Sequence, residues 1–472
     1  MTQDRFTPWT WIRAGWLPTV VLLIATAVIG PELGGVARPV FILGCLVVGW
    51  YAWRQSAEAH IQAVIVLFVF APFARRLVDQ SAGFDPSGLM LIGPLLTILA
   101  PVASLWTLLL PGQPRNPWLV PPAIVLGCIA YGAALSMFQD DWFNAASGVL
   151  KWAAPILYGI ALQQRARPDS GLVDAATGAF VVVLPIAGIY GIMQYVDPQV
   201  WDRYWMLNAS ITSAGYPEPY AVRVFSTMNG PASYATFTAA GLLLVGFLRS
   251  DWKSLVAMAP AALGLLLSLY RTAWLMLALG VLFCMLFQST RKRAVGTGIG
   301  IAGAILAAAT LTPFSETITD RLETLASGTD DGSGGERLGE FITLWNLPDS
   351  MVVGTGFTVT DAGSAGAMPI DGQIVANWIT MGIPVGLLCL AALVWVGMWA
   401  TTAAWRIPTK EGVVLGALGL GAILIQMPLA SIASGELGVL FWMLSAMACP
   451  QQQTQTDVAA PQLPLRRVPE VS

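Results

Sequence analysis

Arginines beside apolar runs are the first residues in this sequence that could take part in chemistry. Arg223 opens the segment Arg-Val-Phe-Ser-Thr-Met-Asn-Gly-Pro, which ends at Pro231. Its last three residues form a strong turn signal, and a proline at a helix start leaves backbone N–H groups that can receive an anion. The sequence therefore predicts that Arg223 and Asn229 contact a phosphate group. An interfacial arginine touching lipid headgroups is the alternative.

A second arginine, Arg271, lies between two apolar runs with almost no loop between them. An arginine held this close to hydrocarbon costs ~2.5 kcal/mol or more unless it is paired or reaches water. Arg271 is therefore a candidate functional residue. Snorkelling from a tight turn is the alternative.

Carboxylates and a further arginine follow in a segment rich in glycine and serine. Asp331 stands beside Asp330, Arg337 comes six residues later, and Asp371 immediately precedes a long apolar run. Two adjacent carboxylates in such a segment are weak evidence for a divalent cation, so no metal site is predicted. Asp371 is placed to cap the helix that follows it, whatever else it does.

Aromatic residues and carboxylates lie close together in two stretches before Arg223, Trp201-Asp-Arg-Tyr-Trp205 and Tyr216-Pro-Glu-Pro-Tyr220. Aromatic faces beside carboxylates suit sugar rings, which makes Glu218 and Tyr220 candidate substrate-binding residues. The same composition is typical of an aromatic belt at a membrane interface, so both interpretations stay open.

The composition indicates a membrane environment for these residues. Of 472 residues, 56% are hydrophobic and 11% are charged, whereas a soluble chain carries roughly a quarter charged residues. Continuous apolar runs of bilayer-spanning length predict an all-α polytopic integral membrane protein with about 12–14 transmembrane helices. The single histidine, His60, excludes a Ser-His-Asp hydrolase in practice, and the five cysteines form no CxxC motif.

Two long loops separate three groups of predicted helices. The predicted order is transmembrane helices in 1–195, a first long loop in 196–229, helices in 230–311, a second long loop in 312–370, helices in 371–449 and a disordered cytoplasmic tail in 450–472. The spans 60–74 and 148–163 are expected to be short. The last two spans, 411–430 and 434–449, are either two crossings or one re-entrant pair. Long loops in compact folds are usually functional or disordered.

The lysines and arginines predict the orientation. A cytoplasmic N-terminus places 15 of the 24 lysines and arginines in cytoplasmic segments and nine on the other side. Cytoplasmic loops usually carry this excess. Both termini are therefore expected in the cytoplasm, and both long loops on the opposite side of the membrane.

Taken in order, these segments resemble the O-antigen ligase and polymerase family, which includes bacterial exopolysaccharide polymerases. The resemblance covers about residues 195–400 and depends on the order and spacing of its motifs. The matching set is Arg223 to Pro231, Leu269-Tyr-Arg-Thr-Ala-Trp274, Asp331-Gly-Ser-Gly-Gly-Glu-Arg337, Val353-Gly-Thr-Gly356 and Gly382-Ile-Pro-Val-Gly386.

The resemblance implies an undecaprenyl-diphosphate-linked oligosaccharide donor and transfer on the periplasmic side of the inner membrane, with no cofactor and no obligatory metal. It implies that Arg223 and Arg271 hold the diphosphate, and that Arg337 contacts the donor or orders its loop. Ligases of this family carry a histidine near the position of Asp371. Its absence here favours a polymerase.

A mechanism can be stated from this implied chemistry. Arginines neutralise the diphosphate leaving group while a sugar hydroxyl of a second lipid-linked repeat unit attacks the anomeric carbon. A carboxylate takes the hydroxyl proton. Asp371 is the predicted base, with Asp331 and Glu218 as alternatives, and one-step attack inverts the anomeric centre. The second long loop is expected to close over the substrates as a lid.

Three other functions stay open. A ligase would transfer the glycan to a lipid or protein acceptor, a flippase or transporter would need a charged central cavity and related halves, and a non-catalytic export subunit would not need its arginines. The expected partners are the lipid-linked donor and acceptor, the lipid bilayer, a chain-length regulator and export proteins. Nucleic acid is not expected, because the chain has no long basic tract.

Overall fold

The computed structural model of the chain describes residues 15–109, 116–167, 170–209, 212–310, 352–359, 372–406 and 408–449. Within these ranges the chain forms helices and turns and no strand, apart from one isolated bridge between Gly215 and Val222. Asp331, Arg337, Asp371 and the tail 450–472 lie outside the described residues.

The N-terminal half contains eight α-helices in the described residues. Several have a clear start signal, such as the side chain of Ser56, which accepts a hydrogen bond from the backbone N–H of Ala59 and caps α3. These helices are α1 (Leu17–Leu33), α2 (Ala37–Gln55), α3 (Ala57–Ala82), α4 (Ile92–Leu99, extended by a 3-10 segment Ala100–Leu109), α5 (Val120–Phe138), α6 (Trp142–Gln163), α7 (Leu172–Val196) and α8 (Val200–Ala209).

In the described residues, the C-terminal half contains eight further α-helices of six or more residues. They are α9 (Pro231–Leu248), α10 (Trp252–Ala257), α11 (Ala259–Leu267), α12 (Arg271–Met285), α13 (Arg291–Thr310), α14 (Gln373–Arg406), α15 (Lys410–Gly421) and α16 (Gly435–Ala448). A π-helical turn, Ala422–Gln426, and a one-turn helix, Met427–Leu429, continue α15.

The lengths and compositions of these helices confirm the predicted fold class. Nine segments of the described chain are long and apolar enough to cross a membrane, and the first of them contains both α1 and α2. Counting those two separately, and adding the three shorter apolar segments, gives thirteen candidate crossings in this part of the chain. The protein is an all-α polytopic membrane protein.

Two predicted spans are longer in the structure, and one predicted loop is partly helical. The span expected at 60–74 is α3, which has 26 residues, and the span expected at 148–163 is α6, which has 22. The sequence analysis made both spans too short because polar and charged residues lie near the ends of these helices. The loop expected at 196–229 contains the ten-residue helix α8. The segment Lys410–Leu429 is long enough to cross a membrane by itself.

Side-chain contacts define two opposite ends of the bundle. At the end that we call the Arg223 face, Arg38 at the start of α2 pairs with Asp79 near the end of α3. Gln139, after α5, donates to the carbonyl of Thr355 on the same face. At the Arg293 face, Arg293 donates to the carbonyl of Phe247 at the end of α9.

Charges are distributed unequally between the two faces. In the described residues the Arg293 face carries ten cations, Arg54, Arg165, Arg167, Arg249, Lys253, Arg291, Lys292, Arg293, Arg406 and Lys410, against four carboxylates, Glu58, Asp174, Asp251 and Glu411. The Arg223 face carries six arginines, Arg38, Arg75, Arg76, Arg203, Arg223 and Arg271, against nine carboxylates, Glu32, Asp79, Asp85, Asp140, Asp141, Asp197, Asp202, Glu218 and Glu436. Lys151 lies in the middle of α6, between the two faces. The cation excess therefore lies on the Arg293 face.

The kink in α14 explains two of the glycine motifs. Gly382 has φ 71° and ψ 174°, so the helix is interrupted there, just before Pro384. The interruption exposes the carbonyl of Ile379, which accepts hydrogen bonds from the backbone N–H of Thr355 at 2.7 Å and from its hydroxyl at 3.0 Å. The Gly-Thr-Gly segment at 354–356 therefore completes the kink of α14.

Close helix packing depends on small residues in this bundle. At Gly188 in α7, a side-chain carbon would lie 2.4 Å from the backbone nitrogen of Ala261 in α11. Such a contact can be relieved only by moving the two helix backbones apart. At Gly246 in α9, by contrast, the nearest atoms to an added carbon lie 3.9 Å away on Thr297.

We expect Gly188→Ala to destabilise the protein and Gly246→Ala to leave its stability unchanged or slightly raised. Overpacking typically costs about 1–3 kcal/mol, whereas alanine favours a helix over glycine by roughly 1 kcal/mol. Thermal unfolding of both variants in the same detergent measures the difference. Equal midpoints for the two variants would contradict the packing of α7 on α11.

Candidate functional site

The Arg223 segment, residues 223–229, crosses the Arg223 face in an extended and turning conformation. Its backbone is bound on both sides: the N–H of Arg223 donates to the carbonyl of Ala214 at 2.9 Å, and the N–H of Val224 donates to that of Leu267 at 3.1 Å. The Arg223 side chain is half-buried, and its Nη2 atom donates to the carbonyl of Leu269 at 3.2 Å. The guanidinium therefore lies against the turn that precedes α12.

Arg271 is the first residue of α12. The turn before it is tight, because Leu269 adopts a left-handed conformation with φ 54°. Since Arg223 bonds the backbone carbonyl two residues before Arg271, the Arg223 guanidinium lies against the turn that leads into Arg271. Both side chains are half-buried, between the bundle interior and its surface.

Ser233 and Glu436 join two further helices at this face. The hydroxyl of Ser233, in the first turn of α9, donates to Glu436 Oε1 at 2.6 Å, and both residues are half-buried. Glu436 lies in the first turn of α16. It therefore places a carboxylate beside the start of α9, and the sequence analysis did not select it because it sits inside the last apolar run.

Gln373 connects the start of α14 to the turn before α16. Its side chain is fully buried, and Oε1 accepts a hydrogen bond from the backbone N–H of Ala433 at 2.8 Å. Its Nε2 atom donates to Asn377 Oδ1 at 2.7 Å. Gln373 therefore holds the start of α14 beside the turn that precedes α16.

Four of the helices that begin at the Arg223 face take part in these contacts or adjoin them, α9 at Pro231, α12 at Arg271, α14 at Gln373 and α16 at Gly435. No side chain caps the first residues of α9, α12 or α16 in the described structure. Uncapped helix N-termini carry partial positive charge and leave N–H donors. Together with two arginines, this arrangement suits an anion such as a phosphate.

A small apolar cavity lies beneath this cluster, between α9, α12, α15 and α16. Its volume is about 40 Å³, and its lining includes Thr236, one turn after Ser233, and Met276 in α12. Gln426, in the π-helical turn, contacts both of them: it accepts from Thr236 at 3.4 Å and donates to Met276 Sδ at 3.5 Å. The surroundings therefore change from polar to apolar within about one helical turn.

The remaining predicted residues occupy different positions. Asn229 is half-buried, and its Oδ1 atom is buried without a hydrogen-bond partner among the residues that the structure describes. Glu218 is exposed. Tyr220 is 46% exposed, and its ring centroid lies 5.7 Å from that of Tyr195. The structure thus places Asn229 at the end of the Arg223 segment, whereas the side chains of Glu218 and Tyr220 lie on the surface of the loop.

A buried ion pair that the sequence analysis missed holds the Arg223 segment. Arg76 in α3 and Asp202 in α8 are both fully buried, with Arg76 Nη1 and Asp202 Oδ1 2.6 Å apart. Arg76 also donates to the carbonyl of Ser226 at 2.6 Å. An arginine inside an apolar helix was the available signal, but its partner lies 126 residues away.

A second group of buried charges, the Asp79 cluster, lies near the end of α3. Arg38 and Arg75 each donate to the fully buried Asp79 carboxylate at 3.0 Å, and Arg75 also donates to the carbonyl of Asp85 at 2.5 Å. Burial raises the pKa of the Asp85 carboxyl, but hydrogen bonds from Ser87 and from backbone amides outweigh it and hold that pKa below its usual value. The cluster thereby fixes the turn after α3.

Within the described part of the chain, no group of three or more His, Cys, Asp or Glu residues could hold a metal ion. Comparison with known protein families and with curated proteins gives no match for this chain. The family resemblance and the roles that it implies stay predictions.

We expect the protein in zwitterionic nanodiscs to bind inorganic pyrophosphate. Arg223→Ala and Arg271→Ala should each weaken binding about tenfold or more, because hydrogen bonds to charged groups contribute roughly 1.5–3 kcal/mol. The control is Arg203→Ala, since Arg203 lies on the same face in an exposed ion pair with Asp197. Isothermal titration calorimetry measures the dissociation constants. Equal weakening by all three variants would show that only the overall charge matters.

Proposed function

We propose that this protein is a bacterial membrane glycosyltransferase that polymerises glycan repeat units carried on a polyprenyl diphosphate. The observation that carries the proposal is the contact between the Arg223 guanidinium and the carbonyl of Leu269, two residues before Arg271. This contact sets the Arg223 guanidinium against the turn that leads into Arg271, on the face where α9, α12, α14 and α16 begin. A diphosphate attached to a lipid is an anion that such a membrane-embedded cluster suits.

The change from polar to apolar surroundings at this face supports an amphipathic ligand. A polyprenyl diphosphate has a charged group at one end and a hydrocarbon chain in the bilayer. The cavity below the polar residues has a volume of about 40 Å³, which holds a few waters but no isoprene chain, so the hydrocarbon lies outside the bundle. In this proposal the diphosphate binds at Arg223 and Arg271, and the lipid chain extends into the bilayer.

The proposed reaction is a displacement at the anomeric carbon of the donor sugar. The hydroxyl oxygen of the acceptor sugar forms a bond to that carbon while its bond to the diphosphate oxygen breaks, which inverts the configuration. The arginines stabilise the negative charge on the leaving diphosphate. A carboxylate accepts the hydroxyl proton. Asp371 is our proposed base, and Arg337 and Asp331 are proposed to contact the donor.

Glu436 is a second carboxylate that this face offers. It is held by Ser233 in the first turn of α9, next to the end of the Arg223 segment. The buried Oδ1 atom of Asn229 is an acceptor that a sugar hydroxyl can satisfy. These groups supply the hydrogen bonds that orient a sugar beside the diphosphate. Tyr220 and Glu218, on the loop surface, are proposed to contact more distant sugars.

The charge distribution supports an orientation in the inner membrane. The Arg293 face has ten cations against four carboxylates in the described residues, as is typical of a cytoplasmic face. We therefore place both termini in the cytoplasm and the Arg223 face in the periplasm. Donor and acceptor then reach the site from the outer leaflet, and a chain-length regulator and export proteins are proposed partners there.

The test is complementation of a strain that lacks the native copy with wild type, Arg223→Ala, Arg271→Ala, Asp371→Asn or the control Arg203→Ala. We expect the first three variants to lose long polysaccharide while single lipid-linked repeats build up outside the membrane, because transfer is the missing step. Gel analysis of the glycan and immunoblots of membrane abundance provide the measurement.

Other outcomes of the same experiment separate the alternatives. Repeats trapped in the inner leaflet would indicate a flippase, and normal polymer that is no longer attached to its final acceptor would indicate a ligase. Normal polymer in both arginine variants, at normal abundance, would overturn the proposal.

A further inference from the structure

The Arg76–Asp202 pair is the centre of a buried polar network beside the Arg223 segment. Asp202 Oδ1 accepts a hydrogen bond from Arg76 at 2.6 Å. Its Oδ2 atom accepts hydrogen bonds from the Tyr190 hydroxyl at 2.7 Å and from Gln194 Nε2 at 3.0 Å. The Trp201 indole N–H in turn donates to the Tyr190 hydroxyl at 2.7 Å. Helices α3, α7 and α8 each contribute to the network, and both oxygens of the carboxylate have partners.

The same network binds the backbone of the Arg223 segment. Gln194 Oε1 accepts from the N–H groups of Phe225 at 3.1 Å and Ser226 at 2.8 Å, and Arg76 Nη2 donates to the carbonyl of Ser226 at 2.6 Å. The Ser226 hydroxyl also donates a hydrogen bond to the carbonyl of Ala187 at 2.5 Å. Side chains of the bundle therefore hold this turn at its backbone.

The conformation that the network maintains is not one that the segment would favour alone. Ser226 has φ 52°, in the left-handed region that a residue with a side chain seldom adopts. Such a conformation persists only where the surroundings determine it, and strained backbone of this kind concentrates at functional sites. The turn at Ser226 sets the direction in which the chain leaves Arg223, three residues earlier.

A buried ion pair is costly to desolvate, and apolar side chains of the same size often give equal or greater stability. Stability alone therefore does not account for Arg76 and Asp202. Arg76 supplies two directed hydrogen bonds, one to Asp202 and one to the carbonyl of Ser226. Apolar side chains could not replace them.

We propose that Arg76, Asp202 and Gln194 are positioning residues for the anion site, and that they hold Arg223 in the geometry that binds a phosphate before the ligand arrives. This inference rests on the proposed function, because it takes the ligand of Arg223 to be a diphosphate. Without the network, the segment must be ordered during binding, and that ordering lowers affinity.

The Asp79 cluster provides a matched control. Asp79 lies in the same helix, three residues after Arg76, and its carboxylate is equally buried between two arginines. Its hydrogen bonds hold α2 and the turn after α3 rather than the Arg223 segment. Asp79→Asn therefore removes a buried charge of the same kind without disturbing the backbone of that segment.

The experiment compares Asp202→Asn, Gln194→Leu and Asp79→Asn in nanodiscs, with inorganic pyrophosphate as the probe and thermal unfolding measured on the same samples. We expect Asp202→Asn and Gln194→Leu to weaken pyrophosphate binding about tenfold, as lost preorganisation does, and Asp79→Asn to lower the melting temperature without that loss. In a polymerisation assay the first two variants should raise KM for the lipid-linked donor more than they lower kcat.

Gln194→Leu changes no charge, so it tests the inference even if Asp202→Asn does not fold. Wild-type affinity in Gln194→Leu or in folded Asp202→Asn would overturn the positioning role. Equal weakening by Asp79→Asn would also overturn it, because the effect would then follow stability. If wild type binds pyrophosphate and Arg223→Ala does not, the anion site stands and only the positioning role is at issue. Absence of binding by wild type would contradict the site itself and the inference with it.

Discussion

The main constraint on the Arg223 face is that backbone polar groups buried in an apolar bundle need partners. A helix satisfies its own backbone, but a turn at this depth does not, so side chains must do it. Gln194 bonds two successive N–H groups of the Arg223 segment, and Arg76 bonds the carbonyl of Ser226. The same rule applies at the kink of α14, where Thr355 bonds the carbonyl of Ile379. Non-helical chain is present at both places because neighbouring side chains pair its backbone.

The same constraint affects the electrostatic properties of the Arg223 face. Irregular segments end where helices begin, and at the Arg223 face several helices begin without a side-chain cap. At the Arg293 face, Ser56, Asp251 and Thr409 cap α3, α10 and α15, whereas α7 starts there without a side-chain cap. At the Arg223 face itself, Asp141 caps α6. In a capped helix, a side chain accepts hydrogen bonds from the backbone N–H groups of the first turn. In an uncapped helix, those N–H groups can bind a ligand. Arg223 and Arg271 add full positive charges at the uncapped ends.

The sequence could predict the fold because hydrophobic runs of bilayer length are a direct physical signal. One helix start was also predictable from a residue type that favours it, at Pro231, the first residue of α9. The lengths of the helices were harder to predict from the sequence. The helix α3 continues through Arg75 and Arg76 because those charges are paired inside the protein, and sequence alone does not reveal a partner 126 residues away.

Only part of the candidate site could be predicted, because the sequence does not show which residues meet in the fold. Arg223 and Arg271 each stood out singly, as cations next to apolar runs, and the structure brings them to one turn. Glu436 and Ser233 did not stand out, since each looks like an ordinary first-turn residue until α9 and α16 are packed side by side. Glu218 was selected for its aromatic neighbours, yet its side chain is exposed. Local composition indicates chemistry well, but it does not indicate which residues meet.

The most direct measurement is polymer formation by the purified protein in liposomes that contain lipid-linked repeat units. Product length and free polyprenyl diphosphate are followed together for wild type, Arg223→Ala, Arg271→Ala and Arg203→Ala. Our account predicts that wild type and Arg203→Ala lengthen the glycan and release one polyprenyl diphosphate for each new linkage, while the other two variants do neither. Polymer formation at the wild-type rate by Arg223→Ala and Arg271→Ala would contradict it.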